Sequence, residues 1–434
     1  MNPQAVQLNN QLNEFNPHAY NLLSRLGREI YFPKVGILNQ SAEAKKQANK
    51  FNATIGIAIE NKQPMHLECI QESLSSYAPS DLYPYAPPEG KPELRTAWRD
   101  KMLRENPSLH NVDFGRPIVT HALTHGLSIA ADLFVDDGDC VIIPDKNWEN
   151  YDLTFGIRRG ARIINYPLYN SEGKFNAEGL KQAILAQQER GKAIVVLNFP
   201  NNPTGYTPTI AEVHAIIAAI ESGAEAGISQ TIIIDDAYFG LFFEDSIQES
   251  IFGKIIGLHP RVLPVKIDGA TKEEFVWGFR VGFITFGASH QGINDLLEQK
   301  AIGIIRGTIS SCSHPSQTFV LKALLHPNFE SQRQEKVKLL KSRANRVKQL
   351  LTSGKYDDAW TYYPFNSGYF MCLQLKLVHA ESLRLHLLQQ FGVGTIALGE
   401  TDLRVAFSCI EERDLEQLFD LIYLGAKQLE NSHL

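Results

Sequence analysis

The chain predicts an α/β fold in which a mostly parallel central sheet is flanked by helices and joined to a smaller α+β unit. Two observations carry the large unit. Between about Arg116 and Phe286 short β-rich runs alternate with helical patterns, which argues for βαβ units, and polar residues directly follow two of those runs. A third carries the small unit: the tail changes to one long amphipathic helix followed by a separate set of strand-like runs. With 434 residues, 44% of them hydrophobic, the chain is long enough for two or three folding units and can fill their cores.

Taken in order, residues 1–80 read as an irregular arm and part of the small unit. Tyr83-Pro84-Tyr85-Ala86-Pro87-Pro88-Glu89-Gly90 is the clearest break in periodicity, and a sheet domain is expected over 81–325. Its strand candidates are Pro117–Val119, Cys140–Ile143, Arg162–Tyr166, Ala193–Leu197, Thr231–Ile234 and Val281–Phe286. Such sheets collect ligands at the carboxyl ends of their strands, so Asn198–Asn202 and Asp235 should face a common crevice. Thr209 and Glu212 form a capping box that opens a helix. From 326 to 434 a small C-terminal domain is expected. Glu335–Leu351 places Val337, Leu340, Ala344, Val347 and Leu351 on one stripe, and Lys338, Lys341, Arg343, Arg346 and Lys348 then read as a solvated face rather than a nucleic-acid patch. Strand-like runs follow at Gly368–Leu375, Thr395–Leu398 and Leu403–Phe407, with a last helix from about Glu411.

A formal charge of −6 gives no general attraction to phosphate backbones or anionic membranes, so no nucleic-acid or membrane partner is expected. The start lacks a basic and then apolar leader, and no apolar run approaches the roughly 18–20 residues of a membrane span. Five cysteines without Cys-x-x-Cys spacing indicate neither a zinc ribbon nor a disulfide framework, and a cytoplasmic location with reduced thiols is expected. His121 and His125 stand four apart, but no glutamate follows the first, so the zinc-protease pattern fails and no metal is expected.

The chemistry lies in three segments of fixed order: Asn202-Pro203-Thr204-Gly205, Asp235-Asp236-Ala237-Tyr238, and Lys272 with Arg280 eight residues on. They supply an amine for a Schiff base, a carboxylate for a ring nitrogen, donors for a ring oxygen and a guanidinium for a phosphate. Lys266 rivals Lys272, and Asp236 is the alternative to Asp235. The segment Ala122-Leu123-Thr124 leads into a helix whose free N–H groups could hold a phosphate, although the glycines of a dinucleotide or P-loop fingerprint are missing.

On these motifs the chain resembles the class I/II aminotransferases of the fold-type-I pyridoxal-phosphate family, from about Asn52 to the C-terminus, nearest to the aspartate and aromatic branch. The resemblance implies pyridoxal 5'-phosphate as cofactor, with Lys272 as its Schiff-base lysine, Asp235 at the ring nitrogen, and Asn202 and Tyr238 as donors to the ring oxygen. It implies phosphate contacts from Arg280 and from Ala122, Leu123 and Thr124, and stacking of Trp148 on the ring. Arg404, in Leu403-Arg404-Val405-Ala406-Phe407-Ser408, is implied to grip the substrate α-carboxylate, with Gly56, Asn202 and Trp148 also at the substrate. Tyr85 is similar to the tyrosine that reaches the neighbouring subunit's phosphate, which implies a homodimer with shared active sites. Arg306 stands at a separation from Arg280 similar to that of the arginine which reads a distal carboxylate.

The implied activity is transfer of an amino group from an L-amino acid, aspartate-type or aromatic, to a 2-oxo acid by a ping-pong mechanism. The alternatives are a lyase or decarboxylase using the same cofactor, or a retired relative that senses a ligand. Three departures from the pattern stand out: Gly269 where many relatives have serine, only Thr124 with a hydroxyl in the phosphate turn, and Glu273-Glu274 directly after the lysine, for which the sequence offers no account.

Overall fold

A computed structural model describes residues 1–21, 23–31, 36–376 and 378–432. Its main sheet has seven strands in the spatial order Ile118–His121, Val281–Phe286, Val262–Asp268, Ser229–Asp235, Lys192–Asn198, Cys140–Pro144 and Arg162–Tyr166. The last five are mutually parallel, and Val281–Phe286 runs antiparallel to both of its neighbours. Helices cover both faces of such a sheet, so its strands read as near-continuous apolar runs: Val141, Ile142, Ile194, Val195, Val196, Ile232 and Ile233 are all fully buried. Every strand candidate in this region is a strand of the sheet. Val262–Asp268, the run that carries Lys266, is a further member.

The capping box forms as expected, with the Thr209 hydroxyl accepting from the Glu212 N–H at the start of the Ile210–Glu225 helix. The long C-terminal helix starts at Phe329, ahead of the expected Glu335, and ends at Leu351. One reading of its polar face needs correction. Arg343 is not solvated but fully buried, donating to the Ser408 carbonyl at 2.7 Å and pairing with Glu411 at 2.8 Å, because the strand that carries Arg404 ends directly above it.

A second, four-stranded antiparallel sheet runs Trp360–Tyr362, Phe370–Leu375, Asp402–Ala406, Ile396–Leu398. The N-terminal region joins it. Phe51–Asn52 pairs in parallel with Val393–Gly394, and the Gln40 side chain bonds both the N–H and the carbonyl of Ala397 from the Ile37–Gln47 helix. The two sheets meet where Gly205 packs on Phe370: a Cβ there would lie 2.1 Å from the Phe370 carbonyl oxygen, and φ is +74°. Only glycine allows that approach, which brings the turn carrying Asn202 against the strands carrying Phe370 and Arg404.

Candidate active site

Asn198 and Asp235 end adjacent parallel strands and are register partners. The Asn198 amide donates to the Asp235 carbonyl at 2.9 Å, and its oxygen accepts from the Asn202 N–H at 2.9 Å, so one asparagine fixes the approach of both segments. The Ile118–His121 strand passes directly into the Ala122–Phe134 helix, whose first turn has no side-chain cap. Beyond that of Ala122, its leading N–H groups therefore lack helical acceptors and can meet an anion. Arg280 leaves the Trp277–Phe279 turn with φ of +54°, and its carbonyl accepts from the Ala122 N–H at 3.0 Å, which locks the two phosphate candidates together.

These segments close around one cavity of about 240 Å³. Gly56, Ala122, Leu123, Thr124, Trp148, Asn202, Asp235, Tyr238, Lys272, Arg280 and Arg404 all line it. Two expected site residues do not. Tyr85 is 96% exposed and faces solvent. Arg306 sits in the last turn of the Gln291–Thr308 helix, exposed and donating to the Ser310 hydroxyl, so it does not face the cavity of its own chain.

Asp235 accepts from the Tyr151 hydroxyl at 2.7 Å and from the Ala237 N–H at 3.2 Å. Burial raises its pKa, opposed by the Tyr151 bond and the Lys272 charge. Lys272 is pulled down to about 8, chiefly by burial with help from Arg280 and against the attraction of Asp235, so a usable fraction of free amine exists near neutral pH. Its Nζ lies 5.2 Å from the centre of the Tyr238 ring. Burial also raises the Tyr238 phenol, which keeps its proton and can donate. Arg404 is buried, with one Nη donating to Asn202 Oδ1 and the other to the Thr54 carbonyl, each at 2.9 Å, while Phe370 lies 4.3 Å beneath the guanidinium. Its Nε has no partner, and a guanidinium with five N–H donors retains enough to receive a carboxylate.

The rivals fall to their surroundings. Lys266 is clamped between Asp236 at 2.8 Å and Asp268 at 2.7 Å, and these carboxylates raise its pKa, so it stays an ammonium in the core. Asp236 is held by Lys266 and the Ser250 hydroxyl and does not line the cavity. His125 accepts from the His121 N–H through Nδ1, and burial pushes it down to about 4. Among the described residues no group of three or more His, Cys, Asp or Glu could hold a metal ion, and no helix is long and apolar enough to cross a membrane. All five cysteines are unpaired.

Two departures from the family pattern have physical causes. At Gly269 a Cβ would sit 2.6 Å from Gly282 Cα and 2.7 Å from the Val281 carbonyl, so no serine fits without movement. Glu273 and Glu274 turn away from the cavity to Lys101, at 3.2 and 3.3 Å, in a buried cluster completed by Glu105 and Arg333. Their pKa values rise through burial and mutual repulsion, opposed by Lys101. Tyr151, Thr54 and Phe370 are contributors that motif reading missed. Tyr151 stands three residues beyond Trp148, which is the only sequence signal it offered, and in the structure its ring meets that of Trp148 edge-on at 5.8 Å.

The donor set suits a phosphorylated pyridine aldehyde: an uncapped helix start and Arg280 for the phosphate, a carboxylate braced by a tyrosine for the ring nitrogen, and a low-pKa amine for the carbonyl. Fold and donor set together define the class of α/β proteins that seat such a cofactor at the strand ends. The chain belongs to the family Aminotransferase class I and II, whose model matches residues 57–422 and whose members depend on pyridoxal phosphate. It is similar to a probable aspartate/prephenate aminotransferase of Rickettsia conorii, 28% identical over 247 residues, covering 56% of each chain. It is likewise similar to an aspartate aminotransferase of Bacillus subtilis, 29% identical over 203 residues, covering 46% of this chain and 47% of the relative. The matched part thus spans about half the length of these curated relatives. Among solved structures, an aminotransferase from Anaerococcus prevotii superposes with a TM-score of 0.82 at 22% identity, covering 93% of this chain and 98% of that one. An aspartate aminotransferase mutant from Thermus thermophilus gives 0.73 at 19%, covering 93% and 99%. At these identities the structures speak to the fold.

Proposed function

We propose that the chain is a pyridoxal-phosphate-dependent transaminase that moves the amino group of an L-amino acid to a 2-oxo acid in two successive half-reactions. The observation that carries this reading is the convergence of Lys272, Asp235 and Arg404 on one cavity. When bound, the cofactor supplies a carbonyl carbon that condenses with amines and a ring that accepts electron density as the substrate's Cα–H bond weakens. Asp235, steadied by Tyr151, would hold the proton of the ring nitrogen. Asn202 keeps its amide N–H groups free because its oxygen already accepts from Arg404, and with Tyr238 it would donate to the ring oxygen. Arg404 takes the substrate carboxylate in a fixed plane, which aims the Cα–H bond at Lys272 Nζ. That amine would take the proton from Cα as general base and, as general acid, give it to the carbon that the cofactor's carbonyl supplies rather than back to Cα.

Ile37, Ile55, Trp148 and Phe370 give the substrate side an apolar wall, which favours an aromatic over an aspartate-type side chain. Exposed Tyr85 is free to reach a second copy, which supports a homodimer with shared sites. The domain limits 1–80, 81–325 and 326–434 and a cytoplasmic location complete the proposal. An amino-donor panel followed at the cofactor's visible absorbance band, with product analysis, tests the reaction. Conversion of donor to its 2-oxo acid with stoichiometric amination of an acceptor supports transfer, and release of ammonia or carbon dioxide without an acceptor overturns it. Sedimentation of a single 48.6 kDa species would overturn the dimer.

A further inference from the structure

Lys272 lies on a helix of only four residues, Ala270–Glu273, and at the helix's C-terminal end its carbonyl accepts a long local bond, from the Phe275 N–H at 3.3 Å. One donor comes from far away in sequence: the Tyr369 hydroxyl bonds the Lys272 carbonyl at 3.0 Å. Tyr369 is fully buried and immediately precedes Phe370–Leu375 in the second sheet, so this bond reaches from one sheet to the lysine of the other. The same ring packs edge-on against Tyr238, centroids 5.3 Å apart. Phe370, the next residue, lies under Arg404. Lys101 holds Glu273, the last residue of the short helix, and Glu274 just beyond it, so the helix is tied by charge as well as by Tyr369.

We propose that Tyr369 is a positioning residue for Lys272, through which the sheet that binds the substrate carboxylate also sets the placement and proton affinity of the amine. It touches no reacting atom and acts through the Lys272 main chain. The physical route is short. A hydroxyl donor offsets the partial negative charge of the carbonyl; without it the oxygen is left with the long Phe275 N–H bond and favours a nearby cation, and the loosened helix end lets Nζ settle toward Asp235. Both changes stabilise the ammonium. The charged and titratable groups that face Lys272 are Asp235, Arg280 and Tyr238, and none of them is altered by changing Tyr369.

The inference rests on Lys272 being the site's amine, not on the identity of the reaction. Its test is Tyr369→Phe in the full-length protein, which keeps the ring and its packing and removes only the hydroxyl. The control is Tyr356→Phe, which likewise removes a buried tyrosine's hydroxyl bond, 2.7 Å to the Asp420 carboxylate, at a residue that does not line the cavity. The pH dependence of Lys272 acetylation by acetic anhydride is followed by peptide mass spectrometry before cofactor is added, and the pH midpoint of the cofactor absorbance band afterwards. The Tyr369→Phe protein should show the Lys272 labelling midpoint raised by about half a pH unit, a displaced band midpoint and kcat lowered more than KM is changed. Tyr356→Phe should lose comparable thermal stability with none of these effects. If the two variants share one unshifted midpoint, or shift equally, Tyr369 is structural and the proposal falls. Should the protein prove to be a lyase while Tyr369→Phe still moves the Lys272 midpoint, the positioning role stands and only the reaction assignment fails.

Discussion

Replacing Arg404 by lysine keeps the positive charge and removes the planar fork. In the structure two of its N–H groups are committed to Asn202 Oδ1 and the Thr54 carbonyl, each at 2.9 Å, and these bonds set the plane that the remaining donors present. A lysine ammonium reaching the same place cannot satisfy both acceptors and still give a carboxylate two parallel bonds. Loss of one charge-assisted bond to the carboxylate costs about 1.5–3 kcal/mol, whereas an acceptor left unpaired weakens free and bound enzyme alike. A loss near 3 kcal/mol corresponds to a fall of roughly 150-fold in kcat/KM for the amino acid. The assay is the single-turnover half-reaction at varied donor concentration, with Arg306→Lys alongside, which should change less than twofold because that side chain faces solvent. A fall below about fivefold for Arg404→Lys, or an equal fall for Arg306→Lys, would refute the assignment of the carboxylate to Arg404.

Gly269→Ser restores the hydroxyl that many relatives carry, yet it should weaken the protein. Its Cβ meets Gly282 Cα at 2.6 Å, and overpacking of this kind costs about 1–3 kcal/mol, read as a lowered Tm with faster cofactor loss. A gain in cofactor retention with unchanged Tm would contradict the packing. Glu274→Gln should stabilise the protein at alkaline pH. The folded-state pKa of Glu274 is raised, so the native state binds its proton more tightly than the unfolded chain does, and stability contributed below the folded pKa is lost as pH rises through the window above the ordinary carboxylate value. The Tm advantage of the variant should therefore be absent near pH 4 and widen upward, with a slope of at most about 1.4 kcal/mol per pH unit; an advantage that is flat in pH would show that the carboxyl is not strained by burial.

The strand-borne parts of this account were legible because their signals are local. Val281–Phe286 is bounded by glycine and arginine chemistry and matches its expected limits, and Asp235 ends an unbroken Thr-Ile-Ile-Ile run, so both strand and site residue announce themselves. Contacts between distant segments were not. Nothing around Glu273-Glu274 says that Lys101 and Arg333 will bury them, and nothing around Gly269 reveals that Gly282 crosses beneath it. Arg343 shows the same limit in reverse. Periodicity placed it on a polar face, but the turn at Ser408, 65 residues away, covers that part of the helix and supplies its partner. Arg306 rests on its separation from Arg280 alone, and spacing cannot say which way an exposed side chain points.

Borohydride reduction of the cofactor-loaded protein, followed by peptide mass mapping, tests the central claim most directly, because it records which amine bonds the cofactor. The geometry predicts a single pyridoxyl adduct on Lys272, with the visible band bleached in proportion and Asp235→Ala weakening cofactor retention. An adduct on Lys266, or a protein that takes up pyridoxal phosphate without any adduct on Lys272, would contradict it.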